Sequence, residues 1–106
     1  MRLSTVLGTD ELESLGRLGR TVRLARLRRN LSQDDLASRM GVSRASVVAL
    51  EKGTPGVALG ILLKALTVLG YTERLGELLA NDPLGEEMEL VTGRKRAGAK
   101  DDVADF

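Results

Sequence analysis

The stretch LSQDDLASRMGVSRASVVALEKG, residues 31 to 53, constrains the fold more than any other part of the chain. It holds two short helix-like patterns with only Gly41 and its neighbours between them. Ser32 is a good N-cap, Asp34 and Asp35 put negative charge at the positive end of the helix dipole, and Leu36, Ala37 and Met40 share one face. Gly41 supplies the left-handed backbone that ends a helix abruptly. Ser43 then caps a second helix whose inner residues are Val47 and Leu50, and Gly53 with the Pro55-Gly56 pair stops it. Two helices meeting at roughly 90 to 120° through a short turn need a small residue at the crossing, a glycine in the turn and apolar residues in the corner. Ala37, Gly41, Val42, Val47 and Leu50 meet those needs in order.

The flanking sequence extends this pair into a helical domain. A first helix reads from about Asp10 to Asn30, with Leu15, Leu18, Val22 and Ala25 on one face and with Gly16 and Gly19 weakening its start. Another runs from Ala58 to Leu69, its stripe of Leu59, Leu62, Leu63, Leu66 and Leu69 reading as core, and ends at Gly70. Thr72 caps a last helix reaching Asn81 through Leu75, Leu78 and Leu79. Pro83 closes the helical part, EMELV is a candidate short strand, and a basic GRKRAGAK stretch and an acidic DDVADF end follow. The expected fold is all-α, a compact bundle of four or five helices. Residues 1–10 read as an N-terminal extension, 11–82 as the domain, and 83–106 as a tail for dimerisation or partner binding.

Composition narrows the chemistry. With 42% hydrophobic residues but one Tyr and one Phe among 106, the core must be aliphatic. There is no Cys and no His, which removes disulfides, Cys/His zinc sites, thiol nucleophiles and imidazole acid-base catalysis. Asp34-Asp35 and Glu86-Glu87 are adjacent pairs on exposed segments, not carboxylates opposed across a cleft, so neither an enzyme nor a metal or cofactor is expected. No run has the length of a membrane span and no leader is evident, which points to the cytoplasm. The net charge of +1 hides an asymmetry: residues 1–56 carry 10 Lys+Arg against 6 Asp+Glu, and residues 57–106 carry 6 against 9. Arg17, Arg20, Arg23, Arg26, Arg28 and Arg29 form one run free of acids. Such a run suits a face that meets polyanions, and equally a solvated helix face.

A helix-turn-helix of this kind exposes the first turn of its second helix, which can enter the DNA major groove while the first helix sits over the backbone. Small polar residues there allow close approach, and an arginine reads guanine. The stretch resembles the helix-turn-helix of the XRE, or lambda-repressor-like, family, with the pattern covering residues 15–70. That resemblance implies that Gln33 contacts phosphate and supports the reading residues, and that Ser43, Arg44, Ala45 and Ser46 meet phosphate and base edges. It also implies that Arg26 pairs with Glu51 to brace the motif, beside the structural Ala37, Gly41, Val47 and Leu50. Arg28 and Arg29 join the DNA-binding candidates from the basic run. The plainer alternatives are a solvated Gln33 and Arg44, a Ser43 that only caps, and small residues at 45 and 46 that are merely tolerated.

One module of this size makes few contacts, so a homodimer on double-stranded operator DNA is expected, its half-sites about 34 to 36 Å apart. The last two helices or the EMELV segment are the candidate interfaces. Farther along, GTPGVALGILLKALTVLG and the leucine-rich segment after it are similar to HipB-like antitoxins, which partner HipA-type kinase toxins. The resemblance implies an autorepressor that also binds its kinase, with the terminal Phe106 inserting into the toxin. The length of the tail and the GRKRAGAK charge depart from that pattern. A stand-alone repressor and an interaction module without DNA binding are the other readings.

Overall fold

The computed structural model describes residues 6–93, so the basic stretch from residue 94 and the acidic end with Phe106 lie outside the described residues. Among the described residues every regular element is helical: α1 (Thr9–Arg28), α2 (Gln33–Met40), α3 (Arg44–Glu51), α4 (Leu59–Leu69), a 3-10 helix (Thr72–Glu77) and α5 (Pro83–Thr92). None of these helices is long and apolar enough to cross a membrane. The chain divides into two units, Met1–Leu75 and Gly76–Phe106.

In the first unit α1 packs on α3 and α4, α2 packs on α3 and α4, and α3 touches α4. The core is Val22, Leu36, Ala37, Met40, Val47, Leu50 and Ala65, flanked by half-buried Leu18, Val42, Val57, Ile61, Leu62 and Val68. Each helix ends on a left-handed residue, Asn30 after α1, Gly41 after α2, Gly53 after α3 and Gly70 after α4. After α2, the Gly41 N–H donates to Ser38 and the Val42 N–H to Ala37, at 3.2 and 3.0 Å, which satisfies two carbonyls and turns the chain. The start of α2 is as well defined. Asp35 N–H donates to Ser32 Oγ and Ser32 N–H to an Asp35 oxygen, both at 2.9 Å, a reciprocal cap. These bonds from Ser32 hold the Asp35 carboxyl below the usual Asp range.

Gly41 has φ 73°, and a Cβ placed there would meet nothing within 4 Å. Its requirement is therefore one of backbone conformation alone. Gly41→Val is expected to lose about 1 to 3 kcal/mol, because a β-branched residue is strained at positive φ. Thermal melting checks this, and an unchanged midpoint would mean that the turn is held some other way.

Where α1 crosses the end of α3 the helices meet backbone to backbone. A Cβ on Gly19 would stand 2.7 Å from the Glu51 carbonyl carbon and 2.8 Å from Leu50 O, and one on Gly53 would stand 2.6 Å from Leu15 backbone atoms. Gly19 is thus a packing requirement, not merely the weak spot its helix propensity suggests.

Four expectations are corrected. The leucine stripe of α4 does not all face inward: Leu59 and Leu63 are exposed, whereas Ala65 and Leu69 are buried with Ile61, Leu62 and Val68 packed beside them. An eleven-residue helix that is apolar nearly all round does not declare its inner side. The helix expected from Thr72 to Asn81 is a 3-10 helix that stops at Glu77. Pro83 opens a helix instead of closing the helical part, and EMELV is helical, not a strand. Proline costs nothing at a first helical position, where its missing N–H would have no partner, and Asp82 caps that turn by accepting the Gly85 N–H at 3.0 Å. In α5, Leu84, Met88 and Val91 recur along one side.

Candidate nucleic-acid interface

The turn between α2 and α3 presents the front of α3. Val47 and Leu50 fix the helix by their burial in the core, so its first turn faces outward. Ser43 caps it, its Oγ accepting the Ser46 N–H at 3.2 Å and lying 3.2 Å from Ser46 Oγ. Arg44 and Ala45 are exposed and Ser46 is half-buried. An arginine guanidinium and a cap hydroxyl therefore stand together at a helix N-terminus, where the dipole favours an anion.

Behind this surface runs a chain of polar contacts. Arg26 on α1 and Glu51 at the end of α3 are both buried and meet bidentately, Nε to Oε2 at 2.6 Å and an Nη to Oε1 at 3.0 Å. Another Arg26 Nη donates to Leu31 O at 2.8 Å. The Glu51 hydrogen bonds raise the Arg26 pKa above its ordinary value, against the desolvation that burial imposes. Gln33 Nε2 donates to the same Glu51 Oε1 at 3.2 Å, and an Arg44 Nη donates to Gln33 Oε1 at 3.5 Å. Gln33 is accordingly half-buried and engaged on both sides of its amide. Arg44 also lies 3.9 Å from Asp34 across solvent, a contact worth little by itself.

The residues singled out from the sequence are thus partly gathered and partly dispersed. Gln33, Ser43, Arg44, Ala45 and Ser46 lie on one surface, with Arg26 and Glu51 under it and Ala37, 4% exposed, at the crossing of the helices. Arg29 is engaged elsewhere. Its guanidinium donates to Ala25 O at 2.7 Å and Leu69 O at 2.9 Å, clasping the end of α1 to the end of α4. Arg28 is exposed. Arg23, which the motif does not single out, lines a shallow groove with Arg26, Ser32, Gln33, Asp34 and Arg44. Its spacing of three residues from Arg26 on α1 is the signal that places it there.

A buried, ion-paired scaffold that holds an arginine-bearing helix N-terminus outward defines a helix-turn-helix DNA-binding transcription regulator. The chain belongs to the helix-turn-helix family whose model, HTH_3, matches residues 22–75. It is similar to the uncharacterized HTH-type transcriptional regulator y4mF of Sinorhizobium fredii (strain NBRC 101917 / NGR234). The two are 42% identical over 53 residues, covering 50% of this chain and 70% of that protein.

Proposed function

We propose that the protein is a sequence-specific operator-binding repressor, acting as a homodimer, in which Arg44 reads a base. The observation that carries this reading is the placement of Arg44, exposed at the front of α3 and held from behind by Gln33 and the Arg26–Glu51 pair. Ser43 and Gln33, with Arg23 and Arg28 at the flank, are the phosphate contacts, and Ala45 and Ser46 approach the bases. Arg29 has a bracing role. Full-length protein titrated with DNA from upstream of its own gene should bind with an affinity that falls linearly in log salt, as counterion release requires. Arg44→Ala should cost about 1 to 3 kcal/mol on that DNA and relax preference at one base pair, with melting unchanged. If the variant discriminated operator sequences as the parent does, Arg44 would not be a reader.

Dimerisation is supported by the small size of one module and by the apolar sides of α4 (Leu59, Leu63) and α5 (Leu84, Met88, Val91). The antitoxin role, with a HipA-type kinase as partner, draws its support from the resemblance of residues 53–70 and of the segment beyond them. Phe106 is its partner-binding residue: a terminal aromatic anchors a segment that orders on binding. Deleting residues 101–106 should weaken binding to a kinase encoded beside the gene and leave operator binding nearly unchanged. Equal kinase affinity of the full and truncated chains would remove the tail and Phe106 as the docking segment, and no kinase binding by either chain would remove the antitoxin role. A stand-alone repressor without a toxin partner is the second reading, and a kinase-like gene beside this one separates the two. Neither role calls for catalysis, a metal or a cofactor, and both place the protein in the cytoplasm, on the nucleoid when bound.

A further inference from the structure

The two flanks of α3 differ in chemistry. On one side lies the arginine-lined groove at the start of α2. On the other is a depression whose lining, which includes Ala45, Ala49, Thr54, Pro55, Val57 and Ile61, bears no charged side chain. Ala45 and Ala49 are one turn apart on α3, so they share a face, and that face turns away from the buried Val47 and Leu50. Ala45, the residue after Arg44 in the first turn of α3, lines this depression.

From this we infer that Ala45 and Ala49, with the Thr54-Pro55 loop, form a subsite for thymine methyl groups. The inference rests on the operator-reading function proposed above. An alanine can neither donate nor accept a hydrogen bond, so at these positions α3 discriminates bases only through apolar contact. In the major groove the one apolar feature of a base edge is the C5-methyl of thymine. A merely permissive alanine would be ringed by solvated polar groups. Here Pro55, Val57 and Ile61 extend the apolar wall, so a methyl group entering beside Ala49 leaves water on several sides. The four-residue step between the alanines spans about 6 Å of helix, against about 3.4 Å per base pair. The half-site therefore contains the guanine read by Arg44 and, within about two base pairs, one or more thymines held by the alanines.

The test uses the full-length chain. Binding sites are selected from a random double-stranded DNA library, and each thymine of the enriched site is replaced singly by deoxyuracil, which removes only the methyl. Affinities are read by fluorescence anisotropy. At least one replacement should weaken binding by about three- to tenfold. That loss should shrink to less than about twofold in Ala49→Ser or Ala45→Ser, since a hydroxyl removes the apolar contact, with circular dichroism confirming that each variant is folded. Specific binding by the parent with every replacement inside twofold would overturn the subsite and leave operator reading intact. Parental losses in both serine variants would overturn its assignment to these alanines. Enrichment of no sequence at all would overturn the operator-reading function and the subsite together.

Discussion

Glu51→Ala is expected to destabilise the first unit by about 3 to 5 kcal/mol, because it strands a buried guanidinium. Arg26 is 6% exposed, and its Nε and one Nη both point at the Glu51 carboxylate, with Leu31 O as the one further acceptor among the described residues. The variant also removes the acceptor of Gln33, so its effect reaches the side chain that holds Arg44. Small domains have about 5 to 15 kcal/mol in total, and a loss of this size leaves little in reserve. Urea unfolding followed by circular dichroism measures it. The paired change Arg26→Met with Glu51→Leu should recover most of the loss, since apolar replacements of matching size leave no unpaired charge. A single-variant loss below about 1 kcal/mol would show that water reaches Arg26 and that the pair is not a buried brace.

The second large effect opposes helix propensity. Alanine is favoured over glycine inside a helix by about 1 kcal/mol, so Gly19→Ala ought to stabilise α1 if nothing else intervened. Its added carbon would instead be driven into the backbone of Leu50 and Glu51, which cannot swing aside as a side chain can. The α1–α3 crossing must then open, and the expected result is a net loss of about 1 to 3 kcal/mol. Gly60 provides the opposite case: an added Cβ there meets nothing within 4 Å. Gly60→Ala should gain up to about 1 kcal/mol. Denaturant midpoints moving in opposite directions for the two variants would establish the close approach. A shift of the same sign in both would refute it.

The central motif was legible because its signals are local and mutually consistent. Ser32, Gly41, Ser43 and Gly53 each act on backbone within a few residues of themselves, and the caps and left-handed turns are where those residues stand. What was not legible depends on partners far along the chain. Gly19 reads as a poor helix residue until the end of α3 lies on it, and Arg29 reads as one more free cation until Leu69 O accepts from it. The leucines of α4 outnumber the places the core has for them, so pattern alone could not choose which face turned inward. Pro83 is a helix breaker after a helix and a helix starter before one. Only Asp82, a cap just ahead of it, marked the second role. EMELV alternates well enough for a strand, but Leu84, Met88 and Val91 also fit the helical period, and a short window does not separate the two.

The clasp between α1 and α4 has one more consequence, which concerns what light can report. The chain has no Trp and a single Tyr. Tyr71 sits just past α4, with the Arg74 guanidinium 3.7 Å from its ring centroid and that of Arg29 at 5.9 Å. The core contains no chromophore beyond the peptide bond. Intrinsic tyrosine emission is therefore a gauge of the seam that Arg29 closes, whereas far-ultraviolet circular dichroism follows the helices themselves. Two curves from one sample would show whether that seam gives way with the core or ahead of it.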